Sequence, residues 1–203
     1  MKRGQIISGV SVGAAGLAVA GIFGWGMGAA AHPVAAAAHI STAVPHYTLS
    51  INTPDMLGGT EETGPAVVPS NIVLPANTTV DITIVNYDDA TPLGAGSEQY
   101  AQAYGIVGTL AVSDLDAVNP NAAKPVRHVK SLDAATEVSH TFTIAALGLI
   151  VPVAPHSVTT FRFHTGLRGS YEWRCMDPCG SGDAGWDGAM SAKGYMQRTV
   201  TLA

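Results

Sequence analysis

The sequence predicts an all-β domain of two packed sheets behind an N-terminal hydrophobic helix. Three observations carry that prediction. Only 12% of the 203 residues are charged against 47% hydrophobic, with 23 glycines and 12 prolines, a composition that suits many short strands joined by turns. Apolar side chains recur every second residue in several segments, the period of a half-buried strand. The one long uninterrupted apolar run sits at the very start, where it reads as targeting rather than core.

That run opens with Met1-Lys2-Arg3 and continues from Ile6 to Ala31 without a charged residue. About 20 apolar residues suffice to cross a bilayer, whereas a secretory core is usually only ~7–15. The length favours a retained anchor, while Ala29 and Ala31 before His32-Pro33 offer an A-x-A cleavage pattern. Residues 1–31 are therefore a signal peptide or a membrane anchor, and either places the remainder outside the cytoplasm. Residues 32–45 are an Ala-rich linker, and residues 46–203 form the domain. Net charge is −5 and the ten basic residues are scattered, which argues against nucleic acid as a partner.

Within the domain, His46–Asn52 alternates well enough for a first strand. Asn71–Leu74 and Val80–Asn86 make two more around a turn at Pro75–Thr78, with Val80, Ile82 and Ile84 inward. Asn77-Thr78-Thr79 fits a glycosylation pattern and also ordinary turn chemistry. Ala90 to Thr136 is long for a connection; Gly105–Val112 reads as a strand, and the segment as a hairpin capping one end of the barrel. Val138–Ile144 sets Val138, His140, Phe142 and Ile144 on one face, and Ser139, Thr141 and Thr143 on the other. Ala145–Pro155 reads as an apolar loop. Val158–Phe163 turns Phe161 and Phe163 inward. On the strand from Gly169, Tyr171, Trp173 and Cys175 share a face, so Cys175 leaves it on the apolar side. A closing strand follows Met196. Phosphate loops, nucleophile elbows, His-Glu-x-x-His and internal repeats are absent from the sequence.

Two thiols four residues apart, with thioethers before the next strand, form a soft donor set suited to copper. In an exported chain the rival is a disulfide, although a loop that short would stabilise weakly. A thiol–disulfide or chaperone role on Cys-x-x-x-Cys fits less well, because no helix follows the motif as a βαβ unit requires.

The run Val138-Ser-His140-Thr-Phe142, an apolar loop, Val158–Phe163, then Gly169-Ser-Tyr171-Glu-Trp173-Arg-Cys175-Met-Asp-Pro-Cys179-Gly180 resembles the cupredoxins. Within them it is most similar to the periplasmic copper domain of cytochrome oxidase subunit II. The resemblance covers roughly 68–86 and 138–202. It implies a Greek-key sandwich or barrel with copper as cofactor, held by His140, Cys175, Cys179 and Met196, with Met190 as a second thioether. A backbone carbonyl at Asp177 belongs to the same implied set, and Tyr171 and Trp173 become core aromatics beneath the site. It further implies electron transfer rather than stand-alone catalysis, with a redox protein or membrane respiratory complex as partner. One departure is serious. The family's second His would fall at Asp183 or Lys193, and no histidine lies beyond His164. The alternative is a metal-free accessory subunit of a membrane complex, with Cys175 and Cys179 joined as a disulfide.

Overall fold

The structure, a computed structural model, describes residues 43–59, 64–115, 125–182 and 185–203. The N-terminal hydrophobic segment, nearly all of the linker, part of the Ala90–Thr136 segment and Asp183 lie outside them. Among the described residues no helix is long and apolar enough to cross a membrane.

Strands dominate, with only single 3-10 turns between them. They are β1 (His46–Asn52), β2 (Ala66–Val68), β3 (Ile72–Leu74), β4 (Thr79–Asn86), β5 (Leu110–Asp114), β6 (Arg127–Val129), β7 (His140–Ile144), β8 (Leu149–Val153), β9 (Ser157–His164), β10 (Gly169–Arg174) and β11 (Gln197–Leu202). They form a six-stranded sheet ordered β2-β1-β4-β9-β5-β6 and a five-stranded sheet ordered β3-β11-β10-β7-β8. Both are mixed: β1 runs parallel to β4, and β3 parallel to β11.

The expected alternation is what builds the interior. In β4, Val80, Ile82 and Ile84 are buried while Asp81, Thr83 and Val85 are half-buried; in β9, Phe161 and Phe163 point in while Arg162 and His164 point out. The two strands pair antiparallel over their full length, from Thr79 opposite His164 to Asn86 opposite Ser157. The sheets meet through aromatic rings. Phe142 of one sheet stands 6.3 Å from Phe161 of the other and 5.5 Å from Trp173 on its own. Each such side chain contributes about 1.5–3 kcal/mol by leaving water. Trp173 also donates its indole N–H to the Ser70 carbonyl at 2.9 Å, so its polar edge is satisfied.

Three expectations are corrected. The apolar loop over Ala145–Pro155 contains β8, paired antiparallel with β7. It holds five apolar residues without alternation because four of them are buried, and it tolerates Pro152 because it is an edge strand with no ladder beyond it. The Ala90–Thr136 hairpin, β5–β6, does not cap an end. It extends the six-stranded sheet through β9, and its first strand starts at Leu110 rather than Gly105. Thr141 and Thr143 do not face water: all of β7 is buried. The Thr141 hydroxyl lies under the loop after β10, where it meets the Met176 N–H, and the Thr143 hydroxyl lies against Thr141.

Strand direction then decides where the chemistry gathers. β7 and β10 are antiparallel neighbours with Thr143 opposite Arg174, so the start of β7 lies beside the end of β10. β11 pairs back along β10 from Gln197 opposite Arg174. His140, Cys175 and the loop that precedes β11 therefore share one pole of the sandwich.

Candidate metal centre

Cys175 is the first residue past β10. Its backbone N–H donates to the Met196 carbonyl at 2.8 Å, fastening the strand end to the start of β11. Its sulfur, fully buried, accepts the backbone N–H of Thr141 at 3.3 Å and of Asp177 at 3.4 Å. The Thr141 hydroxyl accepts the Met176 N–H at 2.7 Å and so fixes the loop as it departs. Two residues on, the Asp177 carbonyl accepts the Cys179 N–H at 2.8 Å, a tight turn that folds the second thiol back over the first. Gly180 N–H donating to Gly185 O at 2.7 Å and Asp187 N–H donating to Ser181 O at 2.8 Å close the loop. A short 3-10 turn at Gly188–Met190 then returns the chain to the pole.

The result is a compact soft donor set. The Sγ atoms of Cys175 and Cys179, both free thiols, are 3.5 Å apart, and the Met190 Sδ lies 3.1 Å from the Cys179 sulfur. One ligand atom each from His140, Cys175 and Cys179 lies within 4.8 Å of the others. A disulfide would require the two sulfurs at about 2.05 Å.

His140 is fully buried and held from behind. Its Nε2 is 3.0 Å from Asp88 Oδ2, while its Nδ1 is buried without a hydrogen-bond partner. A carboxylate on one ring nitrogen orients the ring and leaves the other free to ligate a metal once it gives up any proton it carries. Asp88 is itself set by Asn86 at the end of β4. The Asn86 Oδ1 accepts the Asp88 N–H at 3.1 Å while its Nδ2 donates to the Ala154 carbonyl at 2.8 Å.

The electrostatics bear the same mark. Burial works to lower His140, but the Asp88 hydrogen bond and the neighbouring Cys175 sulfur outweigh it and push the imidazole up to about 9. Burial would raise the Cys175 thiol; Cys179, the adjoining His140 ring and the Thr141 N–H hold it well below the usual thiol range. Cys179 moves the other way, raised by its hydrogen bond to Cys175 and by burial. Burial and the Cys175 charge push Asp177 up to about 8, and both of its carboxyl oxygens are buried without a partner.

His140, Cys175, Cys179 and Met190 are brought together. Met196 adjoins them through its backbone carbonyl, and its side chain is buried in the core. Lys193, one of the two positions for the family's second His, lines a different recess with Glu172 and Arg198. Trp173 is core, while Tyr171 is half-exposed and donates its hydroxyl to the Leu167 carbonyl at 2.8 Å. Sequence reasoning missed two residues. Thr141 was assigned to the outer face by alternation. Asp88 lies 52 residues before His140, and its only local signal is the Asn86-Tyr-Asp88 turn.

No protein-family model and no curated protein matches the chain. Among solved structures, a sodium-dithionite-reduced auracyanin from the photosynthetic bacterium Roseiflexus castenholzii is 14% identical, with 79% of this chain and 98% of that one covered and a TM-score of 0.35. A heme-copper terminal oxidase dimer is 13% identical over 81% and 68%, with a TM-score of 0.38. A multicopper oxidase from Campylobacter jejuni is 10% identical with a TM-score of 0.43, and the alignment spans 80% of this chain but 31% of that protein.

Proposed function

We propose that the chain is a copper-binding, cupredoxin-like protein of the extracytoplasmic face that carries electrons in association with a respiratory chain. One observation carries the reading. A fully buried imidazole, aimed by Asp88, leaves its Nδ1 unpartnered beside two free thiols. A buried polar atom without a partner costs about 1–3 kcal/mol, and a ligand at that point would remove the cost.

The donors fit copper by type. Thiolate, thioether and imidazole suit Cu(I) and tolerate Cu(II), and copper so held supplies one-electron exchange. His140 would present Nδ1, Cys175 its thiolate, and Cys179 the sulfur that must lose its proton as the metal arrives. Met190 is the thioether placed against Cys179, in a chain without the family's second His. Met196 stays in the proposed set as the residue directly before the last strand. The two backbone N–H groups on Cys175 hold its sulfur in place in either oxidation state, so the rigid β scaffold limits rearrangement. The N-terminal segment would tether the domain to the outer face of the membrane, or be removed on export.

The test is metal analysis of the purified full-length chain with and without Cys175→Ser. Bound copper and a thiolate-to-copper absorption band, both lost in the variant, are expected. A colourless, copper-free protein with Cys175 and Cys179 disulfide-bonded would overturn the reading and leave the metal-free accessory subunit, which the absence of a histidine beyond His164 favours.

A further inference from the structure

We propose that a surface recess beside Cys179, walled by Asp55, Asp88 and Asp89, is the inlet through which a metal cation reaches the centre, with Cys179 the first ligand it meets. The inference rests on the copper reading for the identity of the ion, but not for the recess and its charge.

Burial leaves little choice of route. His140 and Cys175 are fully buried and Met190 is 2% exposed, whereas Cys179 is partly exposed and lines a recess of about 320 Å³ together with Thr53, Gly180 and the three aspartates. Among the described residues, no lysine or arginine lines it. Asp55 and Asp89 stand open to water at the rim. Asp88 is deeper, its side chain 22% exposed, and the same carboxylate bonds the His140 imidazole. Carboxylates therefore lead from solvent to the thiol, and behind the thiol lies the unpartnered Nδ1 of His140. A basic group also stands at the rim: His156 Nε2 is 2.7 Å from Asp89 Oδ1.

A recess lined by one sign of charge with low-dielectric walls raises the local concentration of the opposite ion and its association rate by about 10–10³-fold. Salt suppresses the gain, since the screening length is about 8 Å at physiological ionic strength. Narrowing the path to one side also orders the assembly. The cation meets Cys179 first and the buried pair afterwards, in keeping with Cys179 as the one partly exposed residue of the set.

The experiment pairs two probes on the full-length reduced chain. In the first, Cu(I) alone is mixed anaerobically with the wild type, with Asp55→Asn/Asp89→Asn, and with Glu98→Gln/Glu172→Gln, which removes equal charge elsewhere. The first double variant is expected to take up Cu(I) several-fold more slowly at low salt, a difference that vanishes at high salt, with unchanged stoichiometry. The second control is expected to match the wild type. In the second probe, the metal-free chain is labelled with thiol reagents carrying either a trimethylammonium or a sulfonate group. Cys179 is expected to react several-fold faster with the cationic reagent, Cys175 to stay protected, and Asp55→Asn/Asp89→Asn to bring the ratio towards one. Equal rates for the two reagents, or prior labelling of Cys175, would overturn the inlet whether or not copper binds. A wild type that takes up no Cu(I) yet keeps the reagent preference would sink the copper reading and leave the cation-selective recess standing.

Discussion

The two ends of the sandwich bury similar polar material and treat it in opposite ways. At the end away from Cys175, Thr165 is fully buried and its hydroxyl accepts the Thr78 N–H at 2.9 Å while donating to the Pro75 or Thr78 carbonyl at 2.7 and 2.9 Å. The Asn77 N–H donates to the Gly166 carbonyl and the Ala76 N–H to that of Ala203. That end closes on itself. At the other end, His140 Nδ1 and both Asp177 oxygens have no partner, and three sulfurs are crowded together. Satisfied networks make a fold rigid, while gathered unsatisfied groups need another explanation. The difference separates structural polarity from polarity kept for a ligand.

The largest effect should come from the loop itself. A Cβ on Gly180 would stand 1.8 Å from the Asp187 carbonyl oxygen, a backbone atom that cannot move aside without undoing the loop that carries Cys179. Gly180→Ala is expected to abolish copper uptake while the sandwich stays folded by circular dichroism. Its counterpart at the closed end is Gly166→Ala, whose Cβ comes closest to the flexible Leu147 side chain, at 2.7 Å, and should leave uptake intact. If Gly180→Ala binds copper normally, the loop geometry does not set the site.

Removing one orienting partner at each end comes next. Asp88→Ala should lower copper affinity about 10–100-fold, as loss of a carboxylate behind a metal-binding imidazole does, measured by competition with a chelator of known strength. Thr165→Val should do the reverse. It strands the Thr78 N–H and costs about 1–3 kcal/mol of unfolding free energy, read from denaturant curves, with affinity unchanged. Equal losses of affinity in both variants would erase the distinction between the ends.

Much of this division was legible in the sequence, and the exceptions have physical causes. β4 and β9 announced themselves because each has one face in the core and one near water, so alternation is visible. β8 was not legible, because a strand buried on nearly every side loses its alternation and reads like any apolar run. Thr141 failed for a related reason within β7, where the loop carrying Cys175 and Met176 covers the face that pattern reading assigned to solvent. His140 and the two cysteines could be found because spacing and strand polarity are local. The Asp88–His140 pair depends on which strand ends share a pole, a property of topology. The proximity of Met190 to Cys179 depends on how a Gly-rich loop folds, which no periodicity encodes.

The open end should also respond to pH when metal-free. Burial raises Asp177 from 3.8 to about 8, so the folded protein keeps a proton that the unfolded chain releases above about 4. The unfolded state then binds fewer protons, and stability falls as pH rises from about 4 to 8, by at most ~1.4 kcal/mol per pH unit. His140, raised from 6.5 to about 9, adds a loss in the same direction between those values. Cys175, lowered well below 9.0, acts in the opposite sense, so the share of the carboxyl is read from the comparison with Asp177→Asn. Cys179, raised above 9.0, and Asp88, lowered from 3.8, act outside the window. Denaturation midpoints of the metal-free chain should decline between about pH 4.5 and 7.5, and Asp177→Asn should flatten the decline. A flat wild-type profile would mean that the carboxyl is not held in an apolar setting.

The smallest effect is expected where polar groups face water. On the outer face of the six-stranded sheet, Arg162 donates Nε and an Nη to the two Asp81 oxygens at 2.7 and 2.8 Å, with side chains 46% and 23% exposed. The geometry is short and two-pronged, yet solvent screens it, and exposed pairs of this kind contribute little. Asp81→Asn should therefore cost little, and the cost should shrink in high salt. Its hydrogen bonds with Arg162 hold Asp81 below 3.8, so the contribution is present above that value and lost as pH falls below it. Copper uptake should be unaffected. A larger loss than in Thr165→Val would show that well-formed polar geometry stabilises this sandwich regardless of burial. The contrast between its ends would then say nothing about a ligand, because burial is what makes an unpartnered atom at the open end expensive.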